Sequence, residues 1–231
     1  MSYDLIYAFF AYYSLIPQYK WTEMQDKFLK ESNSKTIKLA IISNKLATAK
    51  FQSNEEELKK LHELINTEFG DMKEAQDLIK RYPIESKIKV GIEIPDFEVT
   101  SIDDPDVKYS KKSMMGKTYM IDFWATWCGP CVGEMGALHK AYEKFKDKGF
   151  EILSLSLDAK ADDVAKFRND KWKMPWLNSF IGDTQGRKIA ELFEVIGIPR
   201  PILVGADGKI LAMEGEMRGG SLEKTLSKYF K

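Results

Sequence analysis

The chain has 231 residues, of which 44% are hydrophobic and 30% are charged. This length can hold one large domain or two small ones, with enough apolar residues to build a core. Lysine and arginine together number 35, as do aspartate and glutamate, so no net charge draws the protein to nucleic acid or to an anionic membrane surface. The sequence has two cysteines, and this count alone does not assign a redox compartment.

Helical periodicity dominates residues 1–82, which we expect to form an all-helical N-terminal region. Residues 5–16 are apolar and aromatic, but no lysine or arginine precedes them and no small-residue cleavage site follows. We therefore predict an amphipathic helix there rather than a signal peptide, and the run is too short to cross a bilayer. Four further helical faces follow: Trp21, Met24 and Phe28; Ile37, Ala40 and Ile41; Leu58, Leu61, Ile65 and Phe69; and Met72, Ala75, Ile79 and Tyr82.

The third of these faces has recognisable boundary signals. Ser53 with Glu56 three positions later predicts a capping box at its start, and Gly70 predicts its end. His62 is flanked by leucines on a charged helix and is expected to be half exposed, without a catalytic role. The region contains no cysteine and no repeat of fixed period that would indicate a solenoid.

Residues 83–89 are predicted to be a linker, because Pro83 ends the helical pattern, and residues 90–231 a second domain. Strand and helix patterns alternate along this domain before a final hairpin and helix. That order predicts an α/β fold with a central mixed sheet and helices on both faces. The expected strands or extended segments are 92–99, 107–109, 119–123, 151–157, 176–181, 202–204 and 209–213, and the expected helices are 132–148, 162–170, 185–193 and 222–230.

The two cysteines lie three positions apart, between a predicted buried strand and a predicted helix. Pro130 has no N–H to lose and a fixed φ, so it suits the first turn of that helix and places Cys128 at the helix N-terminus. Unpaired backbone N–H groups and the positive end of the helix dipole favour a thiolate there. We predict that Cys128 is the nucleophile of a redox pair and that Cys131, one turn deeper, is the resolving thiol.

The sequence around the cysteines, DFWATWCGPC over residues 122–131, resembles the active-site signature of the thioredoxin superfamily. Five more segments match its TlpA/ResA-like branch of extracytoplasmic thiol-disulfide oxidoreductases in order and approximate spacing: IPDF at 94–97, MGK at 115–117, KGFEI at 148–152, IP at 198–199 and DGKI at 207–210. The resemblance covers about residues 90–230 and implies a thioredoxin-like fold and thiol–disulfide exchange. It also implies a periplasmic or other extracytoplasmic location; the cytoplasm is the alternative, since the chain as given shows no export signal.

Two carboxylates accompany the thiols. Asp122 matches the buried aspartate of thioredoxins, at a position where the TlpA/ResA-like branch often has asparagine. A carboxyl group with few polar neighbours has a raised pKa and is suited to accept the proton of Cys131. Glu134 matches a glutamate common in the branch and is expected to modulate the pKa of both thiols. The alternatives are that Asp122 is a satisfied polar group at a strand end and that Glu134 only complements the helix dipole.

The resemblance further implies a surface that receives an incoming peptide beside the sulfurs. The superfamily has a cis proline there, which predicts a cis bond between Ile198 and Pro199. Arg200 stands where the family often has threonine, and we expect it either near Cys128, favouring its thiolate or acidic partners, or in solvent. Pro201 follows, so the start of this strand is expected to be irregular. The expected substrate-binding residues are Trp127, Gly129, Pro130, Ile198, Pro199 and Arg200.

The predicted activity is reduction of protein disulfides through a mixed disulfide at Cys128, with no metal and no organic cofactor. Gly-Pro between the cysteines resembles the reducing members of the superfamily. The expected partners are a disulfide-containing protein and an upstream thiol–disulfide electron donor, not nucleic acid, and we expect no transmembrane segment.

Three other functions are open on the sequence. A zinc site would need the cysteine pair with His62 or His139, but the spacing fits no zinc-finger pattern. A peroxiredoxin-like peroxide reductase would share the fold and the Pro-Asp-Phe segment, although the proline and threonine that usually precede its lone nucleophilic cysteine are absent. A non-enzymatic binding module would use the helical region as its working surface.

Overall fold

A computed structural model describes residues 18–51 and 54–230. The chain divides between Glu85 and Ser86 into two compact units. This boundary falls within the stretch 83–89, and Ile88 from that stretch is buried in the core of the second unit. The helix predicted over residues 5–16 lies outside the described residues. Within the described ranges, no helix combines the length and the apolar character needed to span a membrane.

The first unit contains the four predicted helices: α1 (Gln18–Glu31), α2 (Lys35–Phe51), α3 (Glu55–Phe69) and α4 (Lys73–Arg81). Asn54 caps α3, because its side chain accepts a hydrogen bond from the backbone N–H of Glu57 at 3.1 Å. The capping box predicted from Ser53 and Glu56 is therefore wrong by one residue. The predicted apolar face of α3 is confirmed, with Leu58, Leu61, Ile65 and Phe69 all buried.

His62 of α3 is buried, and the prediction of a half-exposed histidine is wrong. Its side chain lies one turn after Leu58 and next to Leu61, so it shares the edge of the apolar face. Its Nε2 lies 2.9 Å from the carbonyl oxygen of Tyr82, just after α4. This contact gives His62 a structural role, tying α3 to the end of α4.

The second unit is built on a five-stranded sheet of β3 (Thr118–Trp124), β4 (Phe150–Ser156), β5 (Leu177–Phe180), β6 (Arg200–Val204) and β7 (Ile210–Met213), which lie in the order β5-β4-β3-β6-β7. Strand β3 pairs in parallel with β4, and β4 with β5, whereas β6 and β7 run antiparallel to their neighbours. The predicted central mixed sheet is thus confirmed. The α-helices of this unit are α5 (Lys111–Met114), α6 (Gly129–Phe145), α7 (Ala161–Asp170), α8 (Thr184–Leu192) and α9 (Gly219–Leu226).

Alternate residues of β3 enter two separate hydrophobic clusters, one on each face of the sheet. Met120 and Trp124 belong to the cluster that includes residues of α6, α7 and α9. Ile121 and Phe123 belong to the other, which includes residues of α8. Because successive side chains of a strand point to opposite faces, Asp122 shares the face of Met120 and Trp124. This is the face that α6 covers.

The strand predicted over residues 92–99 is only partly formed. A short hairpin pairs β1 (Glu98–Thr100) with β2 (Lys108–Ser110) around the predicted aspartate-rich turn. The preceding residues instead follow the edge of β7: the N–H of Gly91 lies 2.8 Å from the Ile210 carbonyl, and the N–H of Ile210 lies 2.9 Å from the Ile92 carbonyl. Their backbone groups therefore extend the sheet edge without forming a regular strand.

Pro201 is accommodated at a regular position, so the prediction that β6 starts irregularly is wrong. Pro201 is in register with Asp122 of β3, while the pairing of β6 with β7 begins one residue later, at Ile202 and Met213. The missing N–H of Pro201 therefore leaves the β7 ladder intact. The register shift of this strand pair lies between Leu203 and Val204.

Candidate active site

The two cysteines lie at the end of the central strand, where α6 begins. A turn after β3 leads to Cys128, the N-cap of α6, and Pro130 lies in the first turn as predicted. The Cys128 and Cys131 sulfurs are joined in a disulfide with an S–S distance of 2.01 Å. The backbone N–H of Cys131 also lies 3.2 Å from the Cys128 Sγ. The predicted position of Cys128 at a helix N-terminus is confirmed.

The pair is largely covered in this oxidised state. Cys128 is 5% exposed and Cys131 2%, and both belong to the core cluster on the α6 face of the sheet. Trp127 is 67% exposed, in contrast, and it directly precedes Cys128. A large aromatic surface thus stands in solvent beside nearly buried sulfurs.

A buried aspartate fixes the turn that carries Trp127 and Cys128. Asp158 is 1% exposed and follows β4, the parallel neighbour of β3. Its Oδ2 lies 3.0 Å from the Thr126 N–H, and its Oδ1 accepts the Thr126 hydroxyl at 2.6 Å. The Ser156 hydroxyl donates to Oδ2 at 2.7 Å. These bonds satisfy the buried carboxylate and restrain the chain two residues before Cys128.

Asp122 is a buried carboxyl group on the sheet face covered by α6. It is 4% exposed and pairs across the sheet with Ser154 and Pro201, neither of which is charged. Burial, and to a smaller degree the Glu134 carboxylate, raise the pKa of Asp122 to about 7, while the Arg218 guanidinium acts in the opposite direction. The raised pKa predicted for Asp122 is confirmed, although its role as a proton acceptor stays a prediction.

Glu134 forms an ion pair with an arginine from the C-terminal segment. Its Oε1 accepts the Arg218 Nε–H at 2.6 Å, and the two side chains are 18% and 31% exposed. Glu134 lies one helical turn after Cys131 on α6, so the pair is formed beside the resolving cysteine. Glu134 thus has a specific partner, beyond any interaction with the helix dipole.

The loop before β6 contains a cis peptide bond between Ile198 and Pro199, as predicted. Both residues are partly buried, and Ile198 packs against the hydrophobic clusters of both sheet faces. Glu194, near the start of this loop, adopts a left-handed φ of 50°. Its carboxylate accepts hydrogen bonds from the Ser86 hydroxyl and the Lys87 N–H, which anchors the loop to the first residues of the unit.

Arg200 is neither solvated nor bonded to Cys128. Its side chain is 12% exposed, so the expectation of a solvated arginine is wrong. The guanidinium pairs with Glu214 and donates to the Phe193 carbonyl at 3.3 Å. Arg200 alternates with Pro201 along β6 and therefore lies on the sheet face opposite to Asp122. Sequence reasoning overlooked this pair because Glu214 lies beyond β7.

The two histidines have neighbours that differ from those of a zinc site. The His139 ring of α6 lies against two tryptophans, with ring centroids 5.2 Å from Trp172 and 4.9 Å from Trp176. His62 lies in the first unit, where its ring contacts the Tyr82 carbonyl oxygen. Within residues 18–51 and 54–230, no three histidine, cysteine, aspartate or glutamate side chains are grouped as metal ligands.

Comparison with known families identifies the second unit. Residues 90–213 match the AhpC/TSA family, a match that spans more than half of the chain. The chain belongs to the AhpC/TSA family. The match begins at residue 90, after the helical unit.

Within this family the chain is similar to proteins named for thiol–disulfide chemistry. The thiol-disulfide oxidoreductase ResA of Bacillus thuringiensis subsp. konkukian is 32% identical over 148 residues, which cover 64% of this chain and 80% of ResA. The crystal structure of the thioredoxin domain of a Bacteroides vulgatus thiol-disulfide oxidoreductase matches with 30% identity and a TM-score of 0.56, covering 62% of this chain and 99% of that domain. The chain is an enzyme of the thiol-disulfide oxidoreductase class.

A third comparison supports the same fold. The crystal structure of a putative thiol:disulfide interchange protein DsbE from Chlorobium tepidum is 26% identical, with a TM-score of 0.54 over 62% of this chain and 99% of that one. The predicted thioredoxin-like fold of this AhpC/TSA member is thus confirmed. The cysteine pair, Asp122, Glu134 and Trp127 all lie at or near the first turn of α6.

Two residues of this AhpC/TSA site were missed by sequence reasoning. Asp158 is the first charged residue after the apolar strand β4, and parallel neighbours such as β3 and β4 end at the same edge of a sheet. That signal would have found it. Arg218 offers no such signal, because its position beside α6 depends on how the C-terminal segment packs.

Proposed function

We propose that the protein reduces disulfide bonds of other proteins through the dithiol form of Cys128 and Cys131. The observation that carries this proposal is the disulfide across the first turn of α6, on the same side of the sheet as the buried Asp122. A pair of sulfurs that can open and close there can pass two electrons to a target disulfide.

In the first step, the Cys128 thiolate attacks one sulfur of the target disulfide. A bond forms between Cys128 and the target, the target's own S–S bond breaks, and its second sulfur leaves as a thiolate that takes a proton from water. The N-terminus of α6 stabilises the attacking thiolate, and the Cys131 N–H, 3.2 Å from Sγ in the oxidised form, is placed to donate to it.

In the second step, the Cys131 thiol gives its proton to Asp122 and attacks the Cys128 sulfur. The internal disulfide forms, the bond to the target breaks, and the target sulfur leaves as a thiolate and is protonated. The target has then gained two electrons from the enzyme, and an upstream dithiol donor reduces the enzyme again. A pKa of about 7 suits Asp122 for this role, because the group can accept and release a proton near neutral pH.

We propose that the target peptide binds over the exposed residues that surround the disulfide. Trp127, Gly129 and Pro130 are exposed beside Cys128 and offer an apolar surface. The loop with Ile198 and Pro199 is proposed to supply the other side, with backbone groups for an extended peptide. Arg200 is left out of this surface, since its side chain is paired with Glu214 on the opposite face of the sheet.

A trapping experiment tests the order of the two thiols. The reduced Cys131→Ser variant should form a covalent complex with a disulfide-bonded substrate protein, stable until dithiothreitol is added, because the resolving thiol is gone. The matched Cys128→Ser variant should form none. Complexes formed through Cys131 instead would overturn the assignment, and sustained peroxide turnover by Cys131→Ser would favour a peroxide reductase.

The direction of electron flow is tested by the reduction potential of the pair. Thiol alkylation across glutathione and dithiothreitol buffers, read as a mass shift, should give a value at or below about −250 mV, as befits a reductase. A value above about −200 mV would assign the protein to oxidation or isomerisation of disulfides instead.

We also propose that the protein acts outside the cytoplasm, as the resemblance to the extracytoplasmic TlpA/ResA-like branch implies. Cell fractionation of the source organism with an antibody against this chain tests the location. Recovery with cytoplasmic markers alone would reject it, without affecting the trapping result.

A further inference from the structure

Arg218 connects the C-terminal segment to the active-site helix. It lies between the 3₁₀ helix Glu214–Met217 and α9, with an extended backbone. Its Nε–H donates to the Glu134 Oε1 at 2.6 Å, across 84 positions of sequence. Both side chains are less than one third exposed, so the pair is better shielded from solvent than an ordinary surface ion pair.

Apolar packing on both sides of Arg218 holds it near α6, the helix that begins at the cysteines. Met217 and Leu222 are fully or almost fully buried, and both belong to the cluster that contains Cys128 and Cys131. Apolar packing therefore holds the backbone of Arg218 near α6, independently of the ion pair that its side chain forms.

Asp122 faces the same cluster, which brings three ionisable groups to one side of the sheet. The charged groups that act on Asp122 are Glu134 from α6 and Arg218 from the segment before α9. Its cross-strand neighbours, Ser154 of β4 and Pro201 of β6, carry no charge. Glu134 raises the pKa of Asp122 and Arg218 lowers it, so the two members of the pair act with opposite sign.

We propose that Arg218 is a positioning residue for thiol–disulfide exchange, which holds and neutralises the Glu134 carboxylate so that Asp122 can take the Cys131 proton beside a neutral pair. This inference rests on the proton-acceptor role proposed above for Asp122. Without Arg218, an ionised Asp122 would lie in a buried site next to a second, unpaired carboxylate, and ionisation would be less favourable.

Glu134 and Arg218 shift the pKa of Asp122 in opposite directions, and this difference separates an electrostatic role from a structural one. If the pair only braced α6 against the C-terminal segment, Arg218→Gln and Glu134→Gln would break the same bond and change the site in the same direction. Under our proposal, Arg218→Gln raises the pKa of Asp122, Glu134→Gln lowers it, and the double variant returns close to the wild-type value.

The oxidised protein is the cleanest sample for the first measurement, because neither sulfur titrates in a disulfide. Carboxyl-carbon NMR, with the Asp122 signal assigned by its loss in Asp122→Asn, gives the titration midpoint directly. We expect upward and downward shifts of about half a pH unit or more in the two variants. Arg218→Lys, which keeps the charge, should stay nearer to wild type than Arg218→Gln.

Glu223→Gln is the matched control. Glu223 of α9 pairs with Lys140 and Lys144 of α6, so it also joins the C-terminal segment to α6, but through lysines that are 74% and 46% exposed. Its removal should leave the Asp122 midpoint unchanged. Shifts of one sign in both Arg218→Gln and Glu134→Gln, or no shift in either, would overturn the proposal.

A stopped-flow experiment connects the midpoint to the chemistry. The reduced protein is mixed with a chromogenic aromatic disulfide: the first release of chromophore reports attack by Cys128, and the second reports resolution by Cys131. The pH midpoint of the second phase should follow the NMR midpoint in every variant. If it does not, both the inference and the Asp122 step of the proposed function fail. If the wild type reacts with no protein disulfide, the proposed function fails, while the NMR shifts still decide whether the pair controls the Asp122 proton.

Discussion

The hydroxyl of Thr126 donates a hydrogen bond to Oδ1 of Asp158 at 2.6 Å, and the Thr126 backbone N–H lies 3.0 Å from Oδ2 of the same carboxylate. This contact joins the turn before Cys128 to the end of the neighbouring strand β4. The position of the nucleophile thus depends on a residue 32 positions from Thr126 that does not itself touch either sulfur in the described contacts.

Thr126→Val should destabilise the protein by about 1 to 2 kcal/mol, because one hydrogen bond to a buried carboxylate is lost while the backbone N–H still donates. Asp158→Ala should cost about 3 kcal/mol, since it leaves the donors of Thr126 and Ser156 without their acceptor. Denaturant unfolding measures both. Ser227→Ala removes an exposed hydroxyl and should change stability by less than about 0.5 kcal/mol. An effect of Thr126→Val no larger than this control would show that the turn is held by other contacts.

Asp122→Asn should stabilise the protein above neutral pH. The pKa of Asp122 rises from 3.8 in an unfolded chain to about 7 in the fold, so the folded state retains a proton that the unfolded state has lost. Stability is therefore unaffected below about pH 4, falls as the pH rises to about 7, and is constant above that, with a total loss of about 4 kcal/mol. Asparagine does not ionise, so the variant avoids this loss.

Denaturant unfolding at several pH values measures the difference between Asp122→Asn and wild type. It should grow between about pH 4 and pH 7 and then level off; the cost of burying an amide lowers the whole curve without changing its shape. Asp96→Asn is the control, because its side chain is 95% exposed. A difference that is independent of pH would mean that Asp122 has an ordinary pKa.

Glu214→Gln should destabilise the protein by about 2 kcal/mol, because it leaves the mostly buried Arg200 guanidinium without its anion. The cost is below that of a fully buried pair, since Glu214 is itself 44% exposed. Adding Arg200→Met should recover most of the loss by removing the buried cation. The exposed pair between Lys108 and Glu98 is the control, and Glu98→Gln should cost less than about 1 kcal/mol.

A double-mutant cycle in denaturant gives the coupling between Arg200 and Glu214. If Glu214→Gln and Arg200→Met add without coupling, the ion pair does not stabilise the cis-proline loop. Gln and Glu have side chains of the same length, and either residue must adopt the left-handed φ of 54° at position 214. Backbone strain therefore does not enter the comparison.

Trp127→Ala should impair reaction with protein targets without destabilising the fold. The side chain is 67% exposed, so unfolding should change by less than about 0.5 kcal/mol. If its aromatic surface binds the target peptide, kcat/KM for a protein disulfide should fall roughly tenfold. The reaction with glutathione disulfide should change much less. Tyr229→Ala removes a second exposed aromatic, in the C-terminal segment, and should leave both rates unchanged. If Trp127→Ala lowers kcat/KM equally for both substrates, Trp127 acts on the thiol instead.

Local patterns predicted the elements that depend on near neighbours in the chain. The buried run before the cysteines predicted β3, and Pro130 predicted that α6 begins beside Cys128. Motif resemblance added the cis bond at Pro199. The strand and the helix start are set by a backbone preference or by side chains within one turn, which is the range over which periodicity carries information.

The errors occurred where burial depended on distant contacts. His62 lies on a charged helix, yet the Tyr82 carbonyl satisfies its ring. Arg200 was expected near Cys128 or in solvent, but alternation along β6 turns it to the other face, where Glu214 neutralises it. The cap at Asn54 was misplaced by one residue, because Ser53 and Asn54 are both good N-caps and only the helix start distinguishes them.

The sequence by itself determined where the cysteine pair lies: at a helix N-terminus, after a strand that carries an aspartate two residues before its end. Only the tertiary structure decided what surrounds that pair. Asp158 is brought to Thr126 by the parallel pairing of β3 and β4, and Arg218 is brought to Glu134 by the packing of α9 on α6. The physical reason is that charge pairing acts through space over a few ångströms, and packing alone sets which distant residues come that close.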